Sequence, residues 1–203
     1  MVELCVARFR AEGGAGKVIR VGAGTAKGRL LKAPQGERPT LGRVKQTLFD
    51  ILAGRLEGAA FLDVFAGGGT VGIEALSRGA RAATFIEAKA RNAALVRENL
   101  ATCGFGAQGR VLCAEAKRAL LRLAGEEASF EIVFLDPPYN DPRALAGALG
   151  ALAEANCLVS PEGMIIVQRA GRRPIADLPG SLELFDTRKI GDSALDFLRR
   201  KLT

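Results

Sequence analysis

The sequence contains no histidine and no tryptophan, a single tyrosine and only four cysteines. Without histidine the commonest general base is missing, so any proton transfer falls to carboxylates, to Tyr139 or to water. The cysteines form no CxxC pair, which argues against a zinc site and against a disulfide framework. We therefore expect no metal, and we expect free thiols that are buried or half-buried.

Long apolar runs are missing as well. None approaches the roughly 18 residues of a membrane-spanning helix, and the opening MVELCVARFRAEGG lacks the cleavage-site pattern of a signal peptide. A chain of 203 residues is long enough for one ordinary domain with a small appendage. These features predict a cytoplasmic protein, for which a monomer is the default expectation.

The net charge of +7 is unevenly distributed. Residues 1–45 contain ten basic and three acidic side chains, whereas the remainder contains 19 of each. A solvated face would be mixed in sign, so the excess favours a segment that binds a polyanion. We accordingly divide the chain into a basic N-terminal extension, residues 1–45, and a main domain, residues 46–203.

The extension alternates apolar and basic residues on both sides of Gly22–Thr25, which predicts a basic β-hairpin. A helix follows, with Thr40 as a candidate N-cap and apolar residues at helical spacing as far as Leu52. Arg43 stands near the start of this helix, where a cation is unfavourable, and this hints at a ligand. The candidate RNA-contacting residues of the hairpin are Arg20, Lys27 and Arg29.

From residue 59 onward, apolar strands alternate with helices. This alternation predicts an α/β fold in which a parallel sheet is covered on both faces. Two final strands around Gly191 and Asp192 predict an antiparallel hairpin at the sheet edge. The predicted strands are 59–66, 81–88, 109–114, 129–136 and 162–170, and the predicted helices are 67–80, 89–104, 115–127 and 142–158.

Three of the predicted strands end in an acid, namely Asp63, Glu87 and Asp136. In such sheets, ligands lie beyond the carboxyl ends of the strands. The loop FAGGGTVG, which opens with Phe65 and Ala66, contains G-x-G-x-x-G at Gly67, Gly69 and Gly72, a pattern typical of adenosine-cofactor sites. Glu87 follows Asp63 at the sequence spacing expected for an acid that binds ribose hydroxyls.

The carboxylate of Asp63 suits the cationic amino acid group of S-adenosylmethionine better than the diphosphate of NAD, because a diphosphate needs a helix N-terminus without an anion beside it. An NAD(P)-dependent oxidoreductase stays open as a second possibility, and a non-catalytic RNA-binding module as a third.

The segment Asp136-Pro137-Pro138-Tyr139 must be a stiff, extended turn, because proline lacks an N–H and restricts the residue before it. A carboxylate and a turn carbonyl could accept both hydrogens of an exocyclic amino group and aim its lone pair at a methyl group. The tyrosine could stack on the base, which would be flipped out or unpaired. We predict that these four residues are catalytic.

Four segments, RPTLGRVKQTLFDIL, FLDVFAGGGTVGIEALSRGA, FIEA and FLDPPY, resemble the RsmD-like family of bacterial 16S rRNA guanine-N2 methyltransferases. The resemblance covers residues from about 17 to 200. DPPY by itself is shared with methyltransferases that act on DNA adenine or protein glutamine, so another amino-group methyltransferase is the nearest alternative.

The resemblance implies a class I, Rossmann-like methyltransferase fold. It also implies an enzyme that modifies guanine-966 of 16S rRNA, with the rRNA either free or in an assembling small ribosomal subunit. It implies that Asp63, Gly67 and Gly69 line the methionine end of the cofactor and that Glu87 holds the ribose. Glu115 stands where the family has an aspartate beside the adenine. The signature block brings Arg38, Thr40 and Arg43 to the cofactor or the RNA. The chain departs from the family pattern at Asp50, Gly68 and Gln168.

Overall fold

The computed structural model describes residues 18–34, 42–138 and 141–201. In chain order the elements are β1 (Val18–Arg20), β2 (Leu30–Lys32), α1 (Gly42–Ile51), β3 (Ala60–Val64), α2 (Thr70–Ser77), β4 (Ala82–Glu87), α3 (Ala90–Cys103), β5 (Gly109–Cys113), α4 (Ala116–Gly125), β6 (Phe130–Leu135), α5 (Pro142–Glu154), β7 (Val159–Ala170), β8 (Leu182–Ile190) and β9 (Ser193–Arg200).

A seven-stranded sheet with the order β5-β4-β3-β6-β7-β9-β8 forms the centre of the fold. The strands β3 to β7 run parallel, as the continuous apolar segments predict, because only strands buried on both faces read that way. The chain order reverses between β3 and β6, which lie side by side. Their carboxyl ends therefore mark the position where open α/β sheets bind ligands.

Two hydrophobic cores lie on the two faces of the sheet. Successive side chains of a strand point to opposite faces, so Phe134 packs in one core and its neighbour Leu135 in the other. The first core includes residues of α1, α2, α3 and the N-terminal hairpin, and the second includes residues of α4 and α5. This assignment of faces decides which side chains meet at the carboxyl edge.

The predicted C-terminal hairpin is present. The chain turns at Gly191 between β8 and β9, and β9 pairs antiparallel with both β7 and β8. The predicted helix from residue 142 was too long: α5 ends at Glu154, and β7 begins at Val159, three residues before the predicted start. Leu158 and Val159 are buried in the same core as α5 and β6. Leu158, which we assigned to the helix, belongs to the connection, and Val159, which we assigned to neither element, begins the strand.

The N-terminal hairpin of β1 and β2 is docked on α2 rather than extended from the domain. Its connection donates the N–H groups of Gly22 and Ala23 to the carboxylate of Glu74, at 2.9 and 3.0 Å. The N–H of Ala26 donates to Ser77 Oγ at 2.9 Å. Glu74 is fully buried and also pairs with Lys45. Burial alone would raise the pKa of Glu74, but the Gly22 hydrogen bond and the Lys45 charge outweigh it and lower that pKa.

The expectation that the cysteines are buried or half-buried is wrong for two of them. Cys103 is half-buried as expected, but Cys113 and Cys157 are exposed, since one ends the edge strand β5 and the other lies in the connection after α5. Cys5 lies outside the described residues. Within the described ranges, no helix is long and apolar enough to cross a membrane, and no three potential ligands cluster as a metal site would require.

Candidate active site

Three carboxylates converge at the carboxyl edge of the sheet. Asp63 on β3 pairs in register with Phe85 on β4 and with Phe134 on β6. Glu87 and Asp136 each lie two residues farther along, so all three side chains leave their strands on the face of α1 to α3. The structure therefore brings together the three acids that the sequence placed at strand ends.

The environment of Asp63 perturbs its ionisation. Burial raises the pKa of Asp63 from its ordinary 3.8 to about 7, and the charges of Asp136 and Glu87 add to this effect. The hydrogen bond from the N–H of Gly72, at 2.9 Å, works in the opposite direction. Three neighbouring anions favour a cationic ligand, because a positive charge relieves their mutual repulsion.

The glycine loop after β3 has an unusual backbone. Phe65 adopts a φ of 67° and Gly67 a φ of 55°. A positive φ at a bulky residue such as Phe65 costs on the order of 1 kcal/mol or more, and such strain concentrates at ligand sites. The N–H of Gly67 donates to the Glu87 carboxylate at 2.8 Å, so the loop is fixed to the end of β4. Ala66 is half-buried within this loop.

The later glycines of the loop serve packing. A Cβ on Gly69 would lie 2.9 Å from a methyl group of Val96, and a Cβ on Gly72 would lie 2.3 Å from the Phe85 ring. Gly69 also adopts a φ of 74°, which favours glycine. Gly72 therefore lets α2 approach β4 closely, as the last glycine of such loops does.

Glu87 and Glu115 lie at the ends of neighbouring strands. The carboxylate of Glu87 accepts from the N–H groups of Gly67 and Lys89, both at 2.8 Å. Glu115 follows β5 at the N-cap of α4 and is exposed, and its side chain makes no capping hydrogen bond. Both acids thus border the glycine loop on the side away from Asp136.

Hydrogen bonds bound the segment that follows β6. Asp136 is half-buried, Pro137 is buried and Pro138 is exposed. The N–H of Asp141 donates to the Pro138 carbonyl at 3.0 Å, and the Asp141 carboxylate accepts from Ala144 N–H at 3.1 Å as the N-cap of α5. The N-cap of α5 thus follows the two prolines closely in the sequence. Tyr139 lies outside the described residues.

Asn99 is a residue of this region that the sequence did not reveal. Its Oδ1 accepts from the Lys32 N–H at 3.0 Å, and its Nδ2 donates to the carbonyls of Lys32 and Gly68 at 2.9 and 2.8 Å. Asn99 is buried on α3, so one amide group joins the hairpin exit to the cofactor loop. An asparagine within a helical pattern carries no signal for such distant partners.

The predicted RNA-contacting residues separate into two groups. Lys27 and Arg29 are exposed on the hairpin connection, and Arg20 donates to the Gly28 carbonyl at 3.0 Å while remaining exposed. Arg43 is exposed in the first turn of α1, which contains no acid. Arg38 and Thr40, the other two residues of the signature block, lie outside the described residues.

A family model described as Conserved hypothetical protein 95 matches residues 19–199. The chain belongs to this family. It is also 35% identical over 185 residues to the ribosomal RNA small subunit methyltransferase D of Escherichia coli strain K12, covering 90% of each chain. The Haemophilus influenzae protein of the same name is 35% identical over 159 residues, which are 77% of this chain and 81% of that protein.

Solved structures show the same architecture. The "Putative methyltransferase yhhF from Escherichia coli" superposes with a TM-score of 0.78 at 32% identity, covering 92% of this chain and 100% of the other. SMU.776, "a putative methyltransferase complexed with SAH", has a TM-score of 0.69 at 13% identity, which shows the fold alone. The predicted family and fold are confirmed, and the relatives at 35% identity are named as ribosomal RNA small subunit methyltransferases.

Proposed function

We propose that this chain transfers a methyl group from S-adenosylmethionine to the exocyclic N2 of a guanine in small-subunit rRNA. The observation that carries the proposal is the position of the Asp136–Pro138 turn. This turn adjoins the Asp63–Glu87 pair on the same sheet edge, and a basic hairpin is fixed beside the loop between those two acids. The names of the Escherichia coli and Haemophilus influenzae relatives support rRNA as the substrate.

The residues of the cofactor half fit S-adenosylmethionine. Asp63, Glu87 and Asp136 provide negative charge for a ligand that carries an ammonium and a sulfonium group. Glu87, fixed by Gly67 and Lys89, is placed to accept hydrogen bonds from ribose hydroxyls. Phe65, Ala66, Gly67 and Gly69 form the loop that would face the methionine portion. Glu115 borders the same edge, where it would face the adenine.

The substrate half is the turn itself. An exocyclic amino group is a weak nucleophile because its lone pair is delocalised into the ring. The Asp136 carboxylate and the Pro137 carbonyl would accept its two hydrogens, direct the lone pair toward the methyl carbon, and stabilise the positive charge that develops on nitrogen. Bound S-adenosylmethionine would supply the methyl group and keep the electron pair of its C–S bond on sulfur, and Asp136 or water would take the proton that the methylated nitrogen loses. Tyr139 would stack on the base.

The hairpin supplies the polyanion contacts. Arg20, Lys27 and Arg29 are exposed on it, and Arg43 follows in α1. Phosphates of the RNA would be bound there, and Arg38 and Thr40 of the signature block, which follow the hairpin in the sequence, would contact the RNA or the cofactor. Attachment of the hairpin through Glu74 and Asn99 gives these cations a fixed position relative to the site.

The test uses purified protein and small-subunit rRNA, both free and as assembled subunits, from a strain without the corresponding gene. Methyl transfer from labelled S-adenosylmethionine should yield N2-methylguanosine at a single position, as determined by nucleoside mass spectrometry. Methylation of adenine in DNA would instead support the nearest alternative. Binding of NADPH without binding of S-adenosylmethionine would support an oxidoreductase. Failure to methylate either rRNA form would refute the proposal.

The variant Asp136→Ala should abolish methyl transfer while the affinity for S-adenosylmethionine stays within about a few-fold, because the carboxylate acts on the amino group. Glu162→Ala is the matched control, since it also removes an acid and Glu162 is exposed near the start of β7, at the sheet edge opposite the site. Calorimetry measures the cofactor affinity of both variants. If Asp136→Ala loses cofactor binding and activity in equal measure, Asp136 serves the cofactor instead.

A further inference from the structure

A cavity of about 270 Å³ lies beside the catalytic turn, and nothing in the proposed chemistry uses it. One wall is the first half of α5, with Leu145 and Leu149, and the opposite wall is the segment 168–177 at and beyond the end of β7. Pro137 and Pro138 close the side next to the turn. The cavity therefore shares the Pro137-Pro138 turn with the site where a target base would be held.

The cavity lies on the other face of the turn from Asp136. Phe134 packs in the core under α1 to α3 and Leu135 packs in the core under α4 and α5. By the alternation of an extended chain, Asp136 points to the first face and Pro137 to the second. Pro137 accordingly lines the cavity and Asp136 does not, while Pro138, where the chain turns toward α5, also contributes to the lining. A base whose amino group is held by Asp136 would leave the cavity to a neighbouring nucleotide.

The lining suits a nucleobase. Its walls are mainly proline and aliphatic side chains, on which the apolar face of a flat ring can pack, with few polar groups. Arg143 and Arg172, which adjoin lining residues in the sequence, are exposed, so positive charge for a phosphate lies near the cavity. Two acids, Asp141 and Asp177, also line it.

The far wall is held in place by ion pairing. Arg169, which lines the cavity, donates to both oxygens of the buried Asp196, at 2.5 and 2.9 Å. The same guanidinium donates to the carbonyls of Ala170 and Gly171 at 3.2 and 3.3 Å. The N–H of Gly171 donates to the backbone carbonyl of Asp192 at 2.7 Å. This wall is thus shaped before any RNA binds, which lowers the cost of ordering it on binding.

We propose that this cavity is an RNA subsite that receives the base of the nucleotide adjoining the target guanine. The inference rests on the proposed function and adds to it a second contact to RNA, on the side of the turn opposite Asp136. It predicts that the enzyme holds two successive bases, one on each face of the Asp136–Pro138 turn.

Ala146 is exposed on α5 and lines the cavity, so Ala146→Trp should fill it. We expect the KM for RNA to rise at least about fivefold, corresponding to the loss of one stacked base, while kcat and the affinity for S-adenosylmethionine stay within about twofold. Ala107→Trp is the control, because Ala107 is exposed between α3 and β5 at the opposite edge of the sheet. Where Ala146→Trp does not fold, Ala176→Trp on the facing wall replaces it.

The decisive measurement combines these variants with an altered substrate. RNA is prepared with an abasic site on the 5′ or the 3′ side of the target, and KM is measured for both proteins. One of the two abasic sites should raise the wild-type KM at least about fivefold and leave that of Ala146→Trp nearly unchanged. The subsite proposal would be overturned if the abasic site and Ala146→Trp raised KM by factors that multiply, or if neither abasic site changed the wild-type KM. A wild-type enzyme that methylates no intact RNA would instead contradict the proposed function.

Discussion

The raised pKa of Asp63 leads to a quantitative prediction for Asp63→Asn. The side chain keeps its shape, and the asparagine oxygen can still accept the hydrogen bond from Gly72 N–H. The variant cannot ionise, so it avoids the cost of burying a charge beside Asp136 and Glu87. We therefore expect Asp63→Asn to stabilise the free protein at alkaline pH and to weaken binding of the cationic cofactor.

The sign follows from the direction of the perturbation. A pKa raised from 3.8 to about 7 means that the folded state binds the proton more tightly than the unfolded state does. Asp63 therefore contributes stability that is fully present below about pH 4 and is lost as the pH rises through about 7. Between pH 5.5 and 8, at about 1.4 kcal/mol per pH unit up to the folded pKa, the wild type should lose about 2 kcal/mol relative to Asp63→Asn.

The assay is urea denaturation of both proteins at several pH values between 5.5 and 8, because the difference between them cancels the titration of all other groups. Calorimetry at pH 7 in two buffers of different ionisation enthalpy gives a second readout. Cofactor binding should release up to about half a proton from the wild type and less from the variant. A difference in unfolding free energy that stays constant with pH would refute the assignment of the perturbed carboxyl to Asp63.

Two further predictions concern the hairpin and its attachment. When glutamine replaces Arg20, Lys27 and Arg29, the affinity for RNA should fall and its salt dependence should flatten by about two log units of affinity per log unit of salt concentration. The control variants Arg110→Gln on β5 and Arg122→Gln on α4 should leave the affinity and its salt dependence unchanged. Filter binding at several salt concentrations measures this, and an unchanged slope would exclude these cations from the interface. Asn99→Asp removes both donated hydrogen bonds and sets a carboxylate against two carbonyls, so the KM for S-adenosylmethionine should rise about tenfold or more. The control Glu98→Gln breaks only the exposed ion pair with Lys32 and should leave that KM unchanged. An equal KM for both variants would show that Asn99 does not position the loop.

Much of this architecture was predictable because it depends on local pattern. Unbroken apolar strands alternating with helices require a parallel sheet, and parallel strands align their carboxyl ends, so acids at strand ends had to meet. The constraints on glycine and proline are local too. The positions of the loop at Gly67 and of the turn at Pro137 therefore followed from the chain itself, as did the antiparallel hairpin around Gly191.

The tertiary structure decided what depends on residues far apart in the chain. Glu74 contacts Gly22 across 52 positions, and Asn99 contacts Lys32 across 67, so the basic extension is fixed to the domain by partly buried hydrogen bonds that no local pattern encodes. The pKa of Asp63 and the cavity beside Pro137 also arise only when several elements pack together. Desolvation and shape are properties of that packing, whereas periodicity and backbone restriction are properties of the sequence.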